Sequence, residues 1–250
     1  MRKVKLEEFN QRDFQESKID KALLAFGSCE CHGSHLPFGI DTFVSYDIAL
    51  SVAEKLERTI VVPPLWYGMS LHYRHKPMCV SLRNETVTEV VRDVLESLFF
   101  WGIRKVFIVN GHDGNIPCIE TASRDVKIAH PEMRIGVLDA WWQVVGDLLP
   151  EGTFEVWNGL GHGGEGETSI ALAVVPDLVD VSGAKGMLPQ LDPHVKLIWN
   201  FEELTDYGAS GAPEKGTEEK GKKMKEAIVQ LVTDFIKKME REGWNIQKSG

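Results

Sequence analysis

Three short polar segments concentrate the side chains that bind metal ions or move protons, and each follows or adjoins an apolar run. The first, Gly27-Ser28-Cys29-Glu30-Cys31-His32-Gly33, interleaves two dyads, and Asp41 lies nine residues beyond His32. In extended backbone, residues two apart point the same way, so Glu30 and His32 converge on one face while Cys29 and Cys31 point elsewhere. Paired thiolates favour zinc or redox chemistry, whereas a carboxylate with an imidazole suits zinc, manganese or iron. A Cys-x-Cys without a second pair is a weak ligand signal, and buried free cysteines ordinarily behave as small hydrophobes.

The second segment, Asn110-Gly111-His112-Asp113-Gly114-Asn115, leaves the apolar run KVFIV. Its glycines allow a tight turn and close approach to a ligand, and the carboxyl ends of strands are where open parallel sheets bind ligands. The third, GHGGEGETS, carries His162, Glu165 and Glu167. It fails as a phosphate cradle, since no Lys follows the glycines and its acids repel an anion. Taken by itself it reads as a flexible loop with acids near a helix N-terminus, where the dipole favours negative charge. Together, Glu30, His32, Asp41, His112 and the acids of the third segment are the inventory for a pair of divalent ions, with a carboxylate able to bridge them. Such a pair binds and deprotonates water in hydrolytic sites. A serine nucleophile is a poorer fit because there is no Gly-x-Ser-x-Gly elbow, and so is Cys118 partnered by His112.

The elements that must position these groups alternate between strand-length apolar runs and segments of helical period, which is the α/β pattern. Ala22–Gly27, Thr59–Leu65, Lys105–Val109 and Arg134–Leu138 read as strands. Helices are expected from a Thr42 cap through Leu56, from Thr86 to a stop at Gly102, over Ser169–Val175, and over Thr217–Gly243. Gly208–Gly216 reads as a loop, and no linker calls for a second domain, so residues 1–250 are expected to form one.

The 250 residues carry 28 Lys+Arg against 37 Asp+Glu, a formal charge of −9. That balance argues against nucleic-acid binding, which needs a basic surface to neutralise phosphates. A chain of this length buries enough apolar surface for one substantial core. Its longest apolar runs fall short of the roughly 18 residues that span a bilayer, so no membrane association is expected. The first twenty residues lack a continuous apolar stretch, so a cytoplasmic location with four free cysteines is expected.

The polar blocks resemble the creatininase (creatinine amidohydrolase) family, whose pattern runs G-[SA]-x-E-Q-H-G-x-H-L-P, an Asp, a Y-G segment, N-G-H-x-x-N and H-x-G-x-x-E-T-S. Here they stand, in order, as GSCECHGSHLP, Asp41, Tyr67-Gly68, NGHDGN and HGGEGETS, over roughly residues 22 to 180. The resemblance implies a three-layer α/β/α fold with a largely parallel central sheet, assembled as a homohexamer. It also implies a site for two divalent ions, zinc first and manganese or iron otherwise. By position, Glu30 and His112 would hold one ion and His32 the other, with Asp41 bridging them. A hydroxide between the ions would attack the carbonyl of a small-molecule amide such as a lactam, a formamide or a guanidino-type compound. His162, with Glu167 beside it, would pass a proton to the leaving nitrogen. Tyr67, Asp113 and Trp157 are expected against the substrate.

Departures from the pattern point to a different substrate rather than different chemistry. Two residues after His112, where creatininase itself has a Glu ligand, stands Gly114, so Glu165 is expected to complete the second ion's shell. Lys76-Pro77-Met78-Cys79-Val80-Ser81-Leu82 replaces F-P-G-T-x-S-L, Cys31 replaces the usual Gln, and Trp157 is offset by one position from the family's pocket aromatic. Two other readings stay open: a peptidase-like member acting on a small modified peptide, and a non-catalytic oligomeric binding protein. Four ionisable groups that are costly to bury unpaired argue against the second.

Overall fold

The structure is a computed structural model and describes residues 3–190, 192, 194, 195 and 197–245. Strands β1 (Lys21–Phe26), β2 (Thr59–Val61), β3 (Lys105–Asn110) and β4 (Arg134–Leu138) form one all-parallel sheet in the order β2-β1-β3-β4. The central strands read KALLAF and KVFIVN, near-continuous apolar runs of the kind that a sheet covered on both faces requires. Alternation sends Leu23, Ala25, Phe107 and Val109 to one side, and Ala22, Leu24, Phe26, Val106 and Ile108 to the other.

Seven α-helices follow in chain order among the described residues: α1 (Gln11–Ser17), α2 (Ile40–Glu54), α3 (Asn84–Phe100), α4 (Ile116–Ala129), α5 (Trp141–Leu148), α6 (Glu165–Val174) and α7 (Glu218–Arg241). On one face α2, α5, α6 and α7 pack through Ile48, Trp141, Ile170 and Ile228. On the other, α3 and α4 pack through Val91, Leu95, Ile119 and Ala122. The result is a three-layer α/β/α arrangement. No helix among the described residues is long and apolar enough to cross a membrane.

Several boundaries differ from those expected, and the differences bear on the site. Helix α2 starts at Ile40 with Gly39 at its cap, so Thr42 lies within the helix and Asp41 falls in the first turn. There the unpaired amide groups and the positive end of the helix dipole favour a carboxylate. Helix α6 begins at Glu165 rather than Ser169, which places Glu165 and Glu167 in its first turn and not in a loop. Strand β2 stops at Val61 because prolines 63 and 64 offer no amide for a ladder, and only Leu65 rejoins, as a single bridge to Phe26. Helices α4 and α5 were not among the expected elements.

Two glycines at the carboxyl ends of the central strands let α2 close on the sheet. A Cβ at Gly27 would lie 2.1 Å from Thr42 Oγ1, and one at Gly111 would lie 2.2 Å from the Asp41 carbonyl oxygen. The second obstacle is backbone and cannot swing aside. Gly111→Ala is therefore expected to destabilise the fold by about 1–3 kcal/mol, the usual cost of overpacking, and to displace Asp41. Urea unfolding and metal titration of the variant measure the two effects; wild-type values for both would contradict the close-approach account.

Candidate metal centre

The site lies at the carboxyl edge of the sheet, where the segments following β1 and β3 meet the starts of α2 and α6. Its centre is Asp41, 4% exposed, with each carboxylate oxygen facing a different imidazole. Oδ1 is 2.9 Å from His32 Nε2, and Oδ2 is 3.3 Å from His112 Nδ1. Ser28 Oγ donates to Oδ2 at 2.6 Å. His112 Nε2 is 2.9 Å from the Met69 carbonyl and 3.2 Å from Ser70 Oγ. With the Nε2 proton committed to Met69, Nδ1 is left as the atom facing Asp41 and Glu30.

Glu30 is fully buried, and neither of its carboxylate oxygens has a hydrogen-bond partner among the described residues. His112 Nδ1 stands 3.2 Å from Oε1, and His162 Nδ1 stands 3.9 Å from it. A desolvated carboxylate in that state is costly unless a cation completes it. Two groups of atoms are close enough to share an ion: Glu30, Asp41 and His112; and Glu30, His32 and His162. Glu167 Oε2 lies 3.7 Å from His32 Nε2 and accepts the Gly163 N–H at 2.6 Å.

The electrostatics follow from crowding these charges away from water. Burial by itself lowers His32, but the carboxylates of Asp41, Glu167 and Glu30 outweigh it and push the imidazole up to about 10. His112 is likewise raised despite its burial, by Glu30 and Asp41. Burial works against the Asp41 carboxylate too, yet the two imidazoles hold it well below the usual carboxylate range. Burial pushes Glu167 up to about 7. His162 goes the other way: burial, then the neighbouring His32, depress it well below the ordinary imidazole value.

His162 stacks on His32 with ring centroids 3.9 Å apart. Its Nε2 is 2.7 Å from the Cys31 carbonyl, and its Nδ1 is 3.0 Å from Tyr73 Oη. These contacts describe a neutral imidazole donating through Nε2–H and accepting the Tyr73 hydroxyl at Nδ1. Tyr73 is 5% exposed and was not among the expected site residues. Nor were Asn110 and Asn115, which hold the loop in shape. Asn110 Nδ2 donates to the His112 and Asp139 carbonyls, while Asn115 Nδ2 donates to Gly27 O and its Oδ1 accepts the Met69 N–H. The Cys31 thiol points away from the carboxylates, against Gly208.

A cavity of about 430 Å³ opens onto these groups. Asp113 and Trp157 line it together with Trp142, Trp199 and Phe201, and among the described residues that line it none is Lys or Arg. Two expected residues lie elsewhere. Tyr67 is 47% exposed and lines no part of the cavity; its neighbour Gly68 packs against Asn115 instead. Glu165 is fully buried but turned away from the centre: it pairs with Lys220 Nζ at 2.7 Å and accepts the amide protons of Glu155 and Val156. The expectation that Glu165 completes a metal shell is thus corrected, because its lone pairs already have partners from two other segments. Glu167, two residues on, is the acid that faces His32.

Fold and centre together define a class: a parallel α/β protein with a metal-capable acid–imidazole cluster at the strand ends, as in metal-dependent hydrolases. The chain belongs to the creatininase family, whose model, described as creatinine amidohydrolase, matches residues 7–236. It is 30% identical to a creatinine amidohydrolase of Pseudomonas putida over 231 residues, covering 86% of this chain and 88% of that one. It is 29% identical to a mycofactocin precursor peptide peptidase of Mycolicibacterium smegmatis over 233 residues, covering 90% and 87%. Solved structures of a Mn creatininase and of a Zn-Zn type creatininase variant each match with a TM-score of 0.80 and 27% identity, over 95% of this chain and 98% of theirs.

Metal ligation requires neutral imidazoles and ionised carboxylates, whereas the neighbouring carboxylates raise His32 to about 10 and raise His112 above its ordinary value, and burial raises Glu167 to about 7. Loading the metal-free protein is expected to release protons, with affinity rising as pH rises. Calorimetric titration at pH 7 in buffers of different ionisation enthalpy measures the number; a heat independent of buffer would contradict these protonation states.

Proposed function

We propose that this chain hydrolyses the C–N bond of a small amide, a lactam, formamide or guanidino-type compound, at a site for two divalent ions. The observation that carries this reading is the fully buried Glu30 carboxylate, neither of whose oxygens has a hydrogen-bond partner among the described residues, with imidazoles and Asp41 around it. Glu30, Asp41 and His112 would hold one ion, and His32, Asp41 and Glu167 the other. The mixed imidazole and carboxylate donors fit zinc first, and manganese or iron as well. Such ions, when bound, polarise a carbonyl and lower the pKa of water.

Hydrolysis forms a C–O bond, breaks the C–N bond and delivers a proton to the departing nitrogen. His162 Nδ1 is the proposed proton-transfer atom. The Cys31 carbonyl fixes its tautomer and burial keeps the ring neutral, so Nδ1 presents a lone pair to a proton from the attacking water; the same depressed basicity that makes the ring a weak base makes its protonated form a ready donor to the departing nitrogen. Tyr73 Oη holds the ring and shares a hydrogen bond with Nδ1. A positioned acid–base group of this kind contributes typically about 10²–10⁴-fold. Trp142, Trp157 and Trp199 would give the cavity apolar walls for the flat body of an amide, and Asp113 lines it as well.

The similarity to a peptide peptidase favours a second reading, cleavage near the end of a short or modified peptide. Assembly as a homohexamer, which rests on family resemblance, belongs to the same proposal, as does a cytoplasmic location.

Purified without chelator, the protein should carry about two divalent ions per chain, as a two-metal centre requires. Asp41→Asn should lose both ions and all hydrolysis, whereas Cys31→Ser should keep the ions. A panel of lactams, formamides, guanidino compounds and short peptides, assayed with zinc, manganese or iron, distinguishes the two substrate readings. Failure to bind metal, or a metal-loaded protein inert on the whole panel, would contradict the hydrolase reading.

A further inference from the structure

Glu165 joins three segments that are distant in sequence. It stands at the first position of α6. Its Oε1 receives Lys220 Nζ at 2.7 Å, from the first turn of α7, and both oxygens lie 3.0–3.1 Å from the Glu155 amide nitrogen. Oε2 also accepts the Val156 N–H at 3.1 Å. Lys220 Nζ is fixed in turn by the Lys215 carbonyl at 3.1 Å. A buried carboxylate that accepts two successive amide protons and an ammonium has little freedom to move.

The two tethered amides immediately precede Trp157. Trp157 and Asn158 have φ of 48° and 53°, and Gly159 follows at 83°. Two consecutive side-chain-bearing residues in the left-handed region are disfavoured and persist only where their surroundings impose them. Glu165 imposes the conformation from the amino-terminal side. On the other side Asn158 seats in a notch on α5, where a Cβ at Gly146 would lie 2.2 Å from Asn158 Nδ2. Without its tether the segment would relax from the left-handed region and carry the Trp157 ring with it.

We infer that the Glu165–Lys220 pair is a positioning device for Trp157, through which α7 sets the place of one wall of the substrate cavity. This rests on the proposed use of that cavity, but the position of Trp157 is measurable whether or not an amide is cleaved. Glu165 is a positioning residue in this account and ligates no ion.

The chain has seven tryptophans, so 5-fluorotryptophan labelling and ¹⁹F NMR follow each ring, with Trp157→Phe assigning the resonance of interest. Glu165→Gln and Lys220→Met are expected to shift or broaden the Trp157 resonance, and Lys220→Arg to restore it. Zinc content should stay at the wild-type value in all three. Toward whichever amide the panel selects, Glu165→Gln should raise KM by ~10-fold with kcat within ~3-fold, the signature of lost binding without lost chemistry. Should Glu165→Gln fail to fold, the Lys220→Met and Lys220→Arg pair decides. An unchanged Trp157 resonance in folded Lys220→Met would overturn the inference, as would loss of an ion in folded Glu165→Gln. A protein that binds no metal would sink the hydrolase reading and leave the ¹⁹F result standing.

Discussion

The structure turns on a carboxylate that is buried between two imidazoles. Asp41 gives one oxygen to His32 and the other to His112, and Glu30 lies beside them with neither oxygen hydrogen-bonded among the described residues. Charges in this state cannot be left to chance in a low-dielectric interior, because each unpaired group would cost several kcal/mol. The surrounding architecture is therefore read most simply as what holds this arrangement in register. Parallel strands β1 and β3 end side by side, with Phe26 opposite Asn110, and so deliver Glu30, His32 and His112 to one edge. Glycines at both strand ends then admit the start of α2 with Asp41 in its first turn.

Helix starts supply the acids, and angular position on the helix decides which acid is used. Residues two apart on a helix are separated by roughly 200° around its axis. Glu165 and Glu167 therefore leave α6 on opposite sides. Glu167 reaches His32, while Glu165 reaches Lys220 and the backbone ahead of Trp157. One first turn thus places one acid against the buried centre and the other against the backbone that leads to Trp157. The same division appears in the loop after β3, where His112 faces the centre while Asn110 and Asn115 clamp the backbone that carries it.

Much of this was legible in the sequence. The continuous apolar runs of β1 and β3, the wide stripe of α3 and the capped tail helix gave the layers, since burial on both sheet faces leaves a strong compositional mark. The interleaved Glu30 and His32, with Asp41 and His112, were readable as one centre because a period of two and the strand-end rule bring them together. The sequence does not separate Glu165 from Glu167, because their segment has the composition of a Gly-rich loop and a loop carries no helical phase. Tyr73 went unseen because its partner, His162, is 89 residues away; nothing local distinguishes it from the exposed Tyr67. Helix α5 has only eight residues, too short for a long apolar period, and the buried stripe of α4 is made largely of the small residues Cys118, Ala122 and Ser123 beside Ile119 and Val126, a weaker mark than the valines and leucines of α3.

The claim that organises all of this is that Asp41 is the shared ligand of two ions. Anomalous diffraction from crystals grown with zinc, recorded on both sides of its absorption edge, tests it directly. Two peaks about 3.5–4 Å apart, the usual two-metal spacing, should flank the Asp41 carboxylate, one beside His112 and the other beside His32. A single peak, or peaks at Cys29, Cys31 or Glu165 instead, would contradict the account.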